Sequence, residues 1–149
     1  GTTTTYKVTT KDSTNTSVVK LLRPYLANEE VMLSSLSEQI QTISQITHPN
    51  ILPTFAKHED QGKHWIHRGY TDWPSLEQVI DKPRNIAYIL SILYNVSEAL
   101  EEYHRNGIIH GNIKPSNIFL EPDGEGLYVA DFIASRFERP PSESIAISS

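Results

Sequence analysis

Apolar residues recur along this chain with two different periods, and the change of period divides it. Near the start, Tyr6-Lys7-Val8 alternates within a threonine-rich run, and Ser17-Val18-Val19-Lys20-Leu21-Leu22 follows a polar stretch from Lys11 to Thr16. Threonine and valine favour extended backbone, so residues 4–22 are predicted to form a hairpin. The period then lengthens. Val31, Leu33, Leu36, Ile40, Ile43 and Ile46 recur at three- and four-residue spacings, the apolar face of a helix. His48-Pro49-Asn50 closes it, because proline cannot continue a helix and pushes its predecessor out of the helical region. Alternation returns in Ile51 to Lys57 and in His64 to Tyr70, which flank Glu59-Asp60-Gln61-Gly62 as a second hairpin.

The second half reads as mainly helical. Trp73-Pro74 breaks the pattern, and Ser75 is placed to N-cap a short helix running to Asp81, with Glu77 near its positive end. The longest helix is predicted over residues 84–105, with Ile86, Ile89, Leu90, Leu93, Val96, Leu100 and Tyr103 as its buried stripe and Asn106-Gly107 as its C-cap. Short strands are predicted at Ile108-Ile109, Ile118 to Leu120 and Leu127 to Ala130, the last two joined as a hairpin through Glu121 to Gly126. Residues 140–149 hold proline and serine but little to pack, so they read as a tail that is flexible or ordered by a partner. Together these elements give an α+β class.

Composition narrows the functions open to such a chain. With 149 residues it is one domain's worth. Thirteen Lys+Arg against 18 Asp+Glu leave a net charge of −5, which argues against a non-specific nucleic-acid binder. The absence of cysteine excludes a disulfide scaffold, a cysteine-type zinc site and thiol chemistry. No apolar run approaches the length of a membrane span, so no membrane contact is expected of this segment itself. A cytoplasmic location fits, including that of a cytosolic domain in a larger membrane-anchored protein. His58, His64 and His67 flank a turn, where solvated side chains are expected before zinc ligands. Asn15-Thr16-Ser17 and Asn95-Val96-Ser97 match the glycosylation pattern, but Asn95 falls in the predicted long helix and nothing points to secretion.

The order of the short motifs is more specific than any one of them. Val18-Val19-Lys20 ends a strand, and His48-Pro49-Asn50-Ile51-Leu52 closes a helix. A long helix leads into His110-Gly111-Asn112-Ile113-Lys114-Pro115-Ser116-Asn117-Ile118, and Ala130-Asp131-Phe132-Ile133 follows. In this order and spacing the chain resembles the protein kinase family over almost its whole length, with a faint likeness of the Pro115-Ser116-Asn117 stretch to bacterial Ser/Thr kinases. The resemblance implies a two-lobed kinase-like fold. Residues 1–72 would form a β-rich N-lobe with one αC-type helix, residues 73–139 a truncated helical C-lobe, and residues 140–149 a flexible tail. It also implies roles. Lys20 matches the lysine that holds the α- and β-phosphates of ATP, and Lys114 the catalytic-loop lysine at the γ-phosphate. Asn117 and Asp131 match the two Mg²⁺ ligands, and Gly69-Tyr70 the linker beside the adenine.

Several positions depart from the pattern. Asn112 stands where the family has its catalytic aspartate, and a neutral amide cannot accept the substrate hydroxyl proton. Gly111 replaces the arginine that pairs with a phosphorylated activation loop. Gln39 stands where a glutamate pairs with the strand lysine, and Glu38 lies one residue, about 100°, around the helix. Ile133 replaces the glycine of the metal loop, and Thr3 the last glycine of the phosphate loop. Arg68 falls at the back of the adenine pocket. A guanidinium there needs a partner, so Arg68 is expected to pair with Glu38 or Asp131 and to fill the nucleotide site; a hairpin register one residue off would put it at the surface instead.

The expectation is therefore a catalytically inactive pseudokinase acting as a protein-binding scaffold or allosteric module, with no functional cofactor and a vestigial Mg-ATP site. The competing readings are an ATP-binding switch and a weakly active Ser/Thr kinase using Lys20, Asn117 and Asp131. The chain runs only 16 residues past Ile133, whereas a whole domain of the family carries further helices over the long one. A protein partner, a homodimer or a C-terminal extension is expected to cover that helix.

Overall fold

The computed structural model describes residues 4–9, 15–22 and 30–132. Strand β1 (Thr4–Thr9) pairs antiparallel with β2 (Thr16–Leu21), as the first hairpin predicts. Helix α1 (Glu30–Ile43) comes next, then β3 (Thr54–Asp60) and β4 (Lys63–Gly69). The four strands form one sheet in the order β1-β2-β4-β3. Register decides which side chains share a face. Lys7 lies opposite Val18, and Val18 opposite Arg68, while Lys20 lies opposite Ile66. Lys7, Lys20 and Arg68 therefore share one face of the sheet. Ile66, on that same face, packs against the core that α1 supplies through Leu36, Ile40 and Ile43.

Two predicted details of this half change. Val31 lies in the first turn of α1 but is 82% exposed, and the helix stops at Ile43, leaving Ile46 buried in the following loop. The strand expected from Ile51 begins only at Thr54, since Pro53 has no N–H for a ladder. Ile51 instead bridges in parallel to Val129, with Val129 N–H donating to Asn50 O at 2.8 Å and Leu52 N–H to Val129 O at 3.0 Å. These bonds fasten the loop after α1 to the second half of the molecule.

That half begins with α2 (Leu76–Val79), shorter than the run to Asp81 that the pattern suggested. Ser75 caps it as predicted. Its Oγ accepts from Gln78 N–H at 3.4 Å, and Gln78 Oε1 accepts from Ser75 N–H at 2.8 Å, a reciprocal capping box. Helix α3 (Ile86–Arg105) starts behind Pro83, with Asn85 Oδ1 accepting from Tyr88 N–H at 2.8 Å. A 3-10 turn (Pro115–Asn117) leads into β5 (Ile118–Leu120), which pairs antiparallel with β6 (Leu127–Val129). Residues 108 and 109 form no strand: Ile108 is buried, and Ile109 is exposed in a loop.

The buried stripe of α3 is the largest correction. Ala99 and Tyr103 are buried, with Ile92 and Val96 packed against the same core. Ile86, Leu90 and Leu93 are instead more than half exposed, and Ile89 is 41% exposed. The helix carries two adjacent apolar strips, and the small β5–β6 ladder covers only the one through Ile92, Val96, Ala99 and Tyr103. Among the described residues no helix is long and apolar enough to cross a membrane.

Candidate nucleotide site

The site lies where the face of the sheet carrying Lys7, Lys20 and Arg68 meets the loop His110-Gly111-Asn112 and the segment after β6. The loop is built around His110, which is 1% exposed. Its Nε2 lies 3.0 Å from Ala130 O, and its Nδ1 accepts from Asn112 N–H at 3.2 Å. An Nδ1 that accepts carries no proton, so Nε2 donates and the ring is neutral. Burial lowers the His110 pKa to about 4, against the opposing pull of the Ala130 carbonyl and of the Asp131 charge. Tyr103 packs edge-on against this ring and stacks on Phe132, and burial, helped by Asp131, pushes its hydroxyl pKa up. Gly111 sits at φ +69°, a left-handed conformation open to glycine without strain.

Asn112 is a brace. It is 6% exposed, its Nδ2 donates to Asp131 O at 2.8 Å, and its own carbonyl accepts from Asn117 Nδ2 at 2.9 Å. The loop, the 3-10 turn and Asp131 are thereby tied together. Asp131 itself holds φ +58°, a conformation aspartate tolerates better than most residues.

The Asp131 carboxylate faces two cations. Arg68 Nε donates to Oδ1 at 2.9 Å, and one terminal guanidinium nitrogen, Nη2, reaches Oδ2 at 3.5 Å. The other, Nη1, donates to Gly69 O at 2.9 Å. Lys20 Nζ lies 3.8 Å from Oδ2. Arg68 is 9% exposed, so the register is the expected one, and of the two expected partners it takes Asp131; Glu38 is on the exposed side of α1. Gln39 Nε2 donates to Ser35 Oγ at 3.3 Å, a contact within its own helix. Asn117 is buried, and Lys114 is exposed just before the 3-10 turn.

The linker residue Tyr70 has a neighbour that sequence reasoning missed. Lys7 Nζ lies 3.0 Å from the Tyr70 hydroxyl and 4.1 Å from the ring centroid, a cation–π contact across the linker. Only the strand register places Lys7 there, and the run between β1 and β2 conceals that register. A second correction concerns His64. It is buried, with Nδ1 3.3 Å from Lys57 Nζ and 3.5 Å from Glu59 Oε2, so it is no solvated turn residue. Thr3, Ile133 and the tail 140–149 lie outside the described residues.

The protein kinase domain pattern matches residues 1–148. The chain belongs to the protein kinase domain family. It is 31% identical over 109 residues to the serine/threonine-protein kinase pkn3 of Myxococcus xanthus, covering 70% of this chain and 20% of that one. It is 28% identical over 116 residues to the serine/threonine-protein kinase PrkC of Bacillus subtilis, covering 76% of this chain and 18% of PrkC. Its fold superposes on the kinase domain of Mycobacterium tuberculosis PknI with a TM-score of 0.75 at 23% identity, over 86% of this chain and 53% of that one. The chain thus spans about a fifth of the length of these curated relatives and about half of the PknI kinase-domain structure. In kinase terms, β1 to β4 with α1 are the N-lobe, and α2 onward is the part of the C-lobe that the chain holds.

Proposed function

We propose that this kinase-family domain is a pseudokinase, a protein-binding scaffold or allosteric module without phosphoryl transfer. One observation carries the reading. At the position of the catalytic base, Asn112 is buried and spends its amide N–H on the Asp131 carbonyl. A group that accepts a proton there is worth about 10²–10⁴ in rate, and this group is a neutral donor engaged in holding the loop. Gln39 in place of the αC glutamate adds to the argument, since its amide engages Ser35. In this reading His110, Gly111, Asn112 and Lys114 are degenerate catalytic-loop positions. Lys20, Gln39, Arg68 and Tyr70 line a vestigial nucleotide site, and Asn117 and Asp131 are vestigial metal positions. The protein contact falls on the exposed apolar face of α3 at Ile86, Leu90 and Leu93. The domain works in the cytoplasm, free or as part of a membrane-anchored protein.

A transfer assay with radiolabelled ATP and a generic protein substrate tests the reading. The full chain should label neither itself nor the substrate. Labelling that disappears in an Asp131→Ala variant overturns it. One observation favours a second reading. Lys20 still lies 3.8 Å from Asp131, the lysine–aspartate pair a working kinase uses around its phosphates. That reading is an ATP-binding switch or a weakly active Ser/Thr kinase using Lys20, Asn117 and Asp131.

A further inference from the structure

We propose that Arg68 is the resident cation of Asp131 and that this site therefore excludes a divalent metal ion. The inference rests on the kinase-family reading of Asp131 as a metal position and goes beyond the loss of catalysis. A divalent ion in such a site needs carboxylate oxygens at about 2.0–2.6 Å with their lone pairs free. Here the Arg68 fork spans both oxygens, at 2.9 and 3.5 Å, and Lys20 approaches Oδ2 at 3.8 Å. The fork is anchored from behind, because Nη1 donates to Gly69 O at 2.9 Å. The side chains of Arg68 and Asp131 are 10% and 13% exposed, so water does little to weaken their attraction. A dication arriving at Asp131 would meet the Arg68 guanidinium at 2.9 Å and would have to displace it.

Asn117 is buried, and its amide nitrogen donates to Asn112 O, so its carbonyl oxygen is the atom it would offer a metal. Asp131 O accepts from Asn112 Nδ2, which fixes the direction in which the carboxylate leaves the chain. The metal's charge has been replaced by a side chain that enters from β4, and the residues present do not fit Mg²⁺.

Calorimetric titration of ATP into the full chain tests this, run once with Mn²⁺ as the metal probe and once with a chelator. The wild-type chain should show no metal dependence: binding in both conditions with the same affinity, or in neither. Arg68→Met should gain ATP binding at least tenfold tighter with Mn²⁺ than with chelator, and adding Asp131→Asn should remove the gain. Should Arg68→Met fail to fold by its melting profile, Arg68→Gln, which keeps length and polarity but not charge, is read in its place. Two results overturn the proposal: metal-dependent ATP binding by the wild type that is lost in Asp131→Asn, or folded Arg68 variants that gain no metal dependence. Phosphoryl transfer is not part of the readout, so metal-dependent binding without transfer would defeat this inference and leave the pseudokinase reading standing.

Discussion

Acid should unfold this protein earlier than its surface histidines alone would cause, and His110 is the reason. Both ring nitrogens are committed, Nε2 toward Ala130 O and Nδ1 to Asn112 N–H, in a site 1% exposed. Protonating Nδ1 would set two donors against each other. The folded-state pKa is lowered to about 4, chiefly by burial, while in the unfolded chain it returns to the ordinary imidazole value of 6.5. Between those values the unfolded state binds the extra proton, so stability rises with pH. The contribution is complete above 6.5 and is lost as pH falls toward 4. One unit is worth about 1.36 kcal/mol, so going from pH 7.5 to 5 should remove roughly 2 kcal/mol. Urea unfolding of the wild type and of His110→Gln across that range is the assay. The other histidines are common to both and cancel in the difference. The gap between the two stability curves should narrow by about 2 kcal/mol as pH falls. Parallel curves would refute the argument, because they would mean His110 titrates alike in both states.

Other substitutions separate core from surface. Tyr103→Ala should destabilise by about 3–5 kcal/mol in urea unfolding, since it empties the space between His110 and Phe132 in the core. Ser75→Ala should cost about 1 kcal/mol, the usual worth of an N-cap, and a change below a few tenths would mean the capping box is not formed. Leu90→Glu with Leu93→Glu, both 57% exposed, should each move stability by less than about 0.5 kcal/mol; a loss comparable to that of Tyr103→Ala would place that face in the core.

Motif order and period were enough to read the kinase-like architecture. Both hairpins of the sheet, the α1 face through Leu36, Ile40 and Ile43, and the Ser75 cap appear where local pattern puts them. Local pattern failed where tertiary contacts decide. Period alone cannot choose between two neighbouring apolar strips of α3, because the choice depends on the area of the β5–β6 ladder beneath it. Ile51 joins no strand of the hairpin because Pro53 interrupts the ladder, and its own bridge partner, Val129, lies far along the chain. At the site, the need of a buried guanidinium for a counter-charge was legible, and so was the short set of candidates. The brace at Asn112 was not: its residue type announces a missing base, while the bond to the Asp131 carbonyl depends on a left-handed turn at Asp131 that no local signal marks.

The most direct measurement is thermal unfolding of the full chain with ATP, in Mg²⁺ and in chelator. A ligand at about 100 times its dissociation constant stabilises a fold by about 2.7 kcal/mol, a shift of several degrees in a domain this size. With Asp131 held by Arg68 and Lys20, the two curves should coincide at millimolar ATP. A stabilisation that requires Mg²⁺ and vanishes in Asp131→Ala would contradict the exclusion of a metal at Asp131 and return the site to the nucleotide-binding kinases.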